Sequence, residues 1–242
     1  MKRIGDFILL VLGIVIAWQA LHAWTGDGAL TSPFATAQKL GALVGTAEFW
    51  NNAEATARAF VFAVLISLLG GIGLGVILGL NRTSSIVSEP ILIALYSLPK
   101  VTLYPLVLLC FGLGISAKVA FGSMHGLIPV TIFTMKAIMQ IKPVYWRTAH
   151  VLRLTPSQMA LTVALPAVLP EVLSGARLGF SLSLLGVLIG EMFASQRGLG
   201  FLIMNAMGLG DIATIMAVAV FLTVFAVAAN ALLLLLDRTV IR

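Results

Sequence analysis

The segment that decides how this chain folds is QIKPVYWRTAHVLRLTPSQMALT, residues 140–162, which runs directly into VALPAVLP, residues 163–170. It is polar, whereas the sequence on either side of it is almost continuously apolar. A polar segment between two apolar spans predicts a loop outside the hydrocarbon layer. We expect a cytoplasmic loop that a partner protein holds.

The loop carries signals for two short helices joined by a turn. Thr155 is a cap residue, a proline follows it, and Gln158 lies three residues after the cap, which is the pattern of a capping box. We therefore predict a helix over residues 144–152, a turn over 153–155 and a second helix over 156–165. Helices of about ten residues are marginal on their own in water. Either a docked partner covers their apolar faces, or the loop folds back on its own membrane domain.

The composition of the whole chain excludes a soluble domain. Of its 242 residues, 60% are apolar and 10% are charged, and the mean hydropathy is +1.08. These values are typical of an all-α integral membrane protein. A crossing needs roughly 20 apolar residues, and hydropathy predicts six transmembrane helices, over residues 8–24, 57–80, 90–112, 116–138, 166–194 and 212–236.

The basic residues predict an orientation. With the amino terminus inside, nine Lys and Arg residues fall on cytoplasmic segments and four on outer ones, namely Lys39, Arg58, Lys118 and Arg197. This bias predicts that both termini and the polar loop are cytoplasmic. The fifteen bases exceed the nine acids, but they are scattered along loops without accompanying aromatic residues. Membrane orientation therefore explains them better than a nucleic-acid partner does.

The predicted spans divide the chain into three parts. Residues 1–54 hold the first transmembrane helix and an extracytoplasmic loop, residues 55–236 form the membrane core, with the polar loop at 140–165, and residues 237–242 form a cytoplasmic tail. In the extracytoplasmic loop, Thr31-Ser32-Pro33 is a plausible cap and first turn of a short helix.

Glycines and prolines in the spans predict packing and a break. Gly71, Gly75 and Gly79 share one face of the second span, where a neighbouring backbone can approach closely. The alternative is ordinary tolerance of glycine in a membrane helix. Pro99 and Pro105 interrupt the third span, and each removes a backbone donor, which predicts a kink or a break.

The sequence contains no pattern for catalysis. It has no phosphate-binding glycine loop, no HExxH, no Cys/His cluster and no nucleophile elbow. We therefore expect no catalytic residue, metal ion or other cofactor on this chain. The three histidines, His22, His125 and His150, are interpreted as isolated polar residues, with a proton relay involving Glu191 or Asp211 as the alternative.

The loop follows the spacing of a known motif, Glu-Ala-Ala, three residues, Gly, nine residues and Ile-x-Leu-Pro. Ala149 and Leu165-Pro166 match it outright, while Arg147 takes the glutamate position, Arg153 the glycine position and Val163 the isoleucine position. On these residues the loop resembles the permease subunits of bacterial binding-protein-dependent ABC importers, especially the branch for nitrate, sulfonate and taurine.

The flanking sequence strengthens the resemblance. LPAVLPEVLSGARLGF, residues 165–180, is similar to the continuation of the family motif, and Gly190-Glu191-Met192 and Gly198-Leu199-Gly200 are similar to two later elements. Upstream, SLPKVTLYPLVLLCFGLG, residues 97–114, resembles the third span of that branch. The order and spacing of these elements extend the resemblance over residues 55–236.

The resemblance implies a type I ABC importer permease fold in a bacterial inner membrane. It implies a second permease, identical or homologous, two ATP-binding subunits that hold ATP and Mg²⁺, and an extracytoplasmic solute-binding protein. ATP hydrolysis on the partner chains would drive transport, so this chain is not itself an enzyme. The polar loop would hold the coupling helix, with ATPase contacts at Arg147, His150, Arg153, Thr155 and Ser157. An arginine at the glycine position predicts a turn without a positive φ, or a new contact with an acidic patch on the ATPase.

Charged residues inside the spans are candidates for the translocation pathway. Arg177 lies about 16 Å along a helix from Pro166, near mid-depth, and Lys100 lies in the broken third span. With Glu191, these residues could line a path for an anionic solute, since such charges normally face a bundle interior or a cavity. The alternative for Arg177 is an ion pair with Glu171 or Glu191. The rival function is a stand-alone secondary transporter that uses these charges for ion coupling.

Overall fold

A computed structural model describes residues 2–26 and 28–240, and within these ranges every regular element is helical. Besides α-helices, it contains a 3₁₀ turn at Lys100–Leu103 and a π-helical segment at Ala160–Ala164. The α-helices are α1 (Lys2–Thr25), α2 (Pro33–Val44), α3 (Ala47–Gly79), α4 (Arg82–Ser97), α5 (Tyr104–Phe111), α6 (Ile115–Met139), α7 (Pro143–Val151), α8 (Pro156–Met159), α9 (Leu165–Ala194), α10 (Leu199–Gly208) and α11 (Ile212–Val240).

The membrane spans agree with the hydropathy pattern. Five helices are long and apolar enough to cross a bilayer, and there are six spans if α4 and α5, which are bent by 85° relative to each other, count as one broken span. The bend is much sharper than a simple kink. It falls at Leu98-Pro99, because Pro99 supplies no backbone donor to α4, whereas Pro105 lies in the first turn of α5, where a proline is tolerated.

The centre of the bundle is formed by α3, α6 and α9. The predicted glycine face of α3 packs directly on α6, since a Cβ added at Gly75 would lie 2.5 Å from the Cβ of Thr134. Added Cβ atoms at Gly71 and Gly79 would be similarly close to α6 side chains. The prediction of a close helix contact is therefore confirmed.

A buried hydroxyl cluster links the same three helices. Ser67 on α3 donates a hydrogen bond to the carbonyl of Ser123 on α6 (3.1 Å), and its hydroxyl lies 3.0 Å from that of Ser183 on α9. Ser67 and Ser183 are fully buried. In an apolar bundle such bonds fix the relative heights of the helices, because an unpaired hydroxyl would be costly.

The short helix predicted after Ser32 is present as α2. The Ser32 hydroxyl accepts the Ala35 N–H, and α2 lies against α11 through an ion pair between Lys39 and Asp211 (3.1 Å). Hydrogen bonds from the Thr214 hydroxyl and N–H, together with Lys39, lower the pKa of Asp211 to about 2. Asp211 therefore stays ionised, and this ion pair persists across the physiological pH range.

One helix, α10, was not predicted. Its ten apolar residues are too few to cross a bilayer, so hydropathy assigned the segment to a connecting loop. It packs with Phe49 of α3 and Val218 of α11 in a small apolar core that includes Leu199 and Leu202. The connection between α9 and α11 is therefore a folded element and not an open loop.

Candidate functional site

The polar loop lies at one end of the bundle, which we call the loop end. Trp146 of helix α7 packs against Ala137 of α6, Ile141 and Val168 of α9, and Ala149 of α7 is buried. The other side of the loop faces outward. All five predicted ATPase contacts are exposed on this segment: Arg147, His150, Arg153, Thr155 and Ser157.

The turn after α7 has the hydrogen bonds of a Schellman motif. The Arg153 N–H bonds the His150 carbonyl at 3.0 Å, and the Leu154 N–H bonds the Ala149 carbonyl at 3.1 Å. Arg153 has a φ of 51°, the only positive value at a non-glycine position in the described residues. The prediction of a turn without positive φ is therefore wrong. The loop keeps the left-handed turn that a glycine would form most easily, and an arginine adopts it.

The capping box at Thr155 is confirmed, but the helix that it starts is longer than predicted. The Thr155 hydroxyl accepts the Gln158 N–H (3.4 Å), and the Gln158 side chain accepts the Thr155 N–H (2.9 Å). Helix α8 then continues through the π-helical segment into α9 without a break. The second loop helix is thus the end of a membrane helix. The predicted boundary at residue 165 is wrong because Pro166 does not end the helix: the π-helical segment lies directly before it, and the chain continues as α9.

The outward face of the loop is apolar and cationic. Val151 is 82% exposed and Leu152 is 64% exposed, and they stand beside the basic side chains of Arg147 and Arg153. Residues 140–165 contain no Asp or Glu. Such a surface fits an apolar cleft with acidic residues at its rim.

A buried carboxylate, that of Glu191, lies at the opposite end of α9, which we call the far end. Its Oε2 accepts hydrogen bonds from the Thr56 hydroxyl (2.8 Å) and from the Gly200 N–H at the start of α10 (3.1 Å). Gly198 has a φ of 128°, and a Cβ there would overlap the carboxylate. The Gly-Glu and Gly-Leu-Gly elements of the sequence therefore form one structural unit, in which the first turn of α10 closes over Glu191.

Two polar residues of α3 complete this Glu191 cluster and were missed by sequence reasoning. Asn52 accepts the Gly198 N–H and the Thr56 hydroxyl accepts the Leu199 N–H, each at 2.8 Å. The sequence does contain an indication of this pair: Asn52 and Thr56 are four residues apart, so on a helix their polar side chains share one face.

Lys118 of α6 is the ion-pair partner of Glu191. Its Nζ lies 3.6 Å from Glu191 Oε1 and donates a 2.6 Å hydrogen bond to the Arg197 carbonyl. Both side chains are buried. Nearby, the Tyr104 hydroxyl donates to the Gly190 carbonyl at 2.6 Å. The cluster thus joins α3, α5, α6, α9 and α10 at the far end.

Lys100 and Arg177 lie apart from this cluster. The Lys100 ammonium donates to the Tyr96 carbonyl (2.9 Å) and lies over the Tyr96 ring at 5.1 Å. It therefore caps the broken end of α4, where the helix dipole favours a cation. The Arg177 guanidinium donates to Ser174 at 3.4 Å. In this conformation Glu191 is fully enclosed, and the pathway roles of all three residues stay predictions.

The histidines occupy three separate environments. His22 lies beside the Leu30 carbonyl, His125 beside that of Phe121 and His150 beside that of Trp146, at 2.7 to 2.9 Å. Within the described residues no group of three or more His, Cys, Asp or Glu side chains could hold a metal ion. Each ring lies within hydrogen-bond distance of a backbone carbonyl, and both the interpretation as isolated polar residues and the proton-relay alternative stay predictions.

These features define a class, a multi-pass helical membrane protein with an exposed loop helix at one end. Comparison with known proteins agrees, since the family described as "binding-protein-dependent transport system inner membrane component" matches residues 71–242. The chain belongs to this family. It is a permease of the ABC importer type, with the type I fold, in the inner membrane.

Individual relatives carry different named substrates. The taurine transport system permease protein of Escherichia coli is 28% identical over 66% of this chain and 58% of its own length. The bicarbonate transport system permease protein of Synechococcus elongatus is 28% identical over 97% of this chain and 87% of its own. The riboflavin transport system permease protein of Chloroflexus aurantiacus is 32% identical over 63% of this chain and 57% of its own length.

Proposed function

We propose that this chain is one of two permease subunits of an ATP-driven importer for a small anionic solute of the sulfonate, nitrate or bicarbonate type. Family membership and the named relatives support this proposal. In this proposal ATP and Mg²⁺ are bound and ATP is hydrolysed on two partner subunits, and an extracytoplasmic binding protein delivers the solute. The second permease is a copy of this chain or a homologue.

The observation that carries the proposal is the outward face of the loop. Arg147 and His150 lie on α7, a Schellman turn fixes Arg153 after it, and a capping box fixes the start of the next helix. A rigid, exposed helix with apolar and basic side chains costs little entropy to dock. The partner that we propose is an ATP-binding subunit with an acidic rim around an apolar cleft. In this proposal the loop and both termini are cytoplasmic.

The test is uptake in cells. The permease is co-expressed with an ATP-binding subunit and a solute-binding protein from the same locus, and uptake of radiolabelled taurine, bicarbonate and riboflavin is measured. We expect uptake of an anion that stops when the catalytic glutamate of the ATP-binding subunit is replaced. Uptake by the permease alone that a proton uncoupler abolishes would identify a secondary transporter instead. Uptake of riboflavin only would refute the anionic substrate class.

A further inference from the structure

A cavity of about 690 Å³ opens at the far end of the bundle. Its walls come from the first turns of α3, the start of α6 and the segment between α9 and α10, including Arg58, Lys118, Gln196 and Arg197. No Asp or Glu is among its lining residues. Three cationic side chains therefore converge on one space that is large enough for a small organic anion.

Lys118 is the fixed member of this set. Its ammonium donates one hydrogen bond to the Arg197 carbonyl and lies 3.6 Å from Glu191 Oε1 as an ion-pair partner. Lys118 also lines the cavity, so its positive charge acts on an anion bound there. Its side chain is only 8% exposed, so a hydrogen bond from it is poorly screened by water.

The two arginines are held less tightly. Arg58 pairs with Glu54 at 3.3 Å, but both side chains are more than 60% exposed, and such a pair contributes little. Arg197 has its backbone fixed by Ser195 and Lys118, which keeps its side chain at the rim. In addition, Gly114 and Ile115 at the start of α6 line the cavity, and this helix N-terminus has no side-chain cap.

From these observations we propose that the far-end cavity is an anion site, in which Arg58, Lys118 and Arg197 receive the charged group of the solute as it enters the permease. This inference rests on the proposed function and identifies the residues that meet the anion. A sulfonate or carboxylate accepts several hydrogen bonds at once, which suits the planar arginine donors and the single lysine donor. The same chemistry could bind the headgroup of an anionic lipid.

The experiment measures binding to the purified permease complex in a neutral detergent. The probe is trifluoromethanesulfonate, and its ¹⁹F NMR line width reports binding even when the affinity is weak. We expect broadening that decreases with added salt and that taurine or bicarbonate reverses. Arg58→Gln and Arg197→Gln should each weaken binding about five-fold, as the loss of one nearby charge predicts. The matched control is Arg82→Gln, an exposed base at the loop end, which should bind like the wild type.

Three results would overturn the inference: no broadening by the wild type, equal binding by all three variants, or competition by phosphatidylglycerol vesicles but by neither small anion. Lys118 is left unchanged, because without it the Glu191 charge would be buried and unpaired, which destabilises the permease. Uptake separates the two proposals. Normal anion uptake without probe binding refutes only the site, whereas probe binding without anion uptake refutes the transport function.

Discussion

Arg153 occupies a backbone conformation that glycine adopts without cost. The left-handed region costs a non-glycine residue about 1 kcal/mol or somewhat more. Three neighbouring carbonyl–amide bonds hold it there, and its side chain is exposed at the docking face. A conformational cost at an exposed arginine suggests that its side chain has a function. We propose that it contacts the ATP-binding subunit.

Substitution at Arg153 separates strain from charge. Arg153→Gly should raise the stability of the permease by up to about 1 kcal/mol, because the turn is relaxed, yet weaken its co-purification with the ATP-binding subunit. Arg153→Lys should keep most of the binding. Thermal unfolding and pull-down measure the two effects. Undiminished binding by the glycine variant would show that the arginine side chain is not a contact.

The Glu191–Lys118 pair should behave as a coupled unit. Each of Glu191→Gln and Lys118→Met leaves one buried charge unpaired and should cost about 3–5 kcal/mol. The double variant should cost clearly less than the sum, since neither charge remains. Denaturant unfolding of the wild type, the two single variants and the double variant gives the free energies for this double-mutant cycle. Additive effects would mean that the 3.6 Å separation contributes no coupling.

At the scale of the helices, patterns that rest on local chemistry were predictable. The glycine face of α3, the cap of α2 and the capping box at Thr155 each follow from a few adjacent residues, and the structure contains all three. The short helix α10 was not predictable, because its stability comes from contacts with α3 and α11 rather than from its own length. Lys118 was counted among the outer bases at the start of the predicted span 116–138, but the buried partner that holds it, 73 positions later, could not be predicted from local sequence.

The glycine contact between α3 and α6 gives a matched pair of variants. Gly75→Ala places a methyl group against Thr134 and should destabilise the bundle by about 1–3 kcal/mol. Gly73 has no atom within 4 Å of an added Cβ, so Gly73→Ala should be neutral or slightly stabilising. The measurement is the melting temperature of each variant in the same detergent, which should be lower for Gly75→Ala than for Gly73→Ala. Equal values would show that the face is not tightly packed in the membrane.

At the scale of the whole molecule, the far-end and loop-end segments should lie on opposite sides of the membrane. In a Cys110→Ser background, cysteines placed at Ser157 and Gln196 should react with an impermeant maleimide from opposite faces, since Cys110 is itself exposed. In intact cells we expect Gln196→Cys to be labelled and Ser157→Cys to be protected until inverted vesicles are used. Labelling of both from one side would refute the six-span topology.

The unbroken helix from α8 through α9 has a mechanical consequence. Residues 156–193 form one continuous rod, about 55 Å long at the usual rise per residue. A tilt of one degree at Pro156 would carry the other end sideways by about 1 Å. The π turn and Pro170, where the hydrogen-bond ladder is weakest, both lie in the first half of the rod. A movement of the loop would therefore bend the helix near residues 160–170. The rest of α9, up to Glu191, would then move as a rigid body.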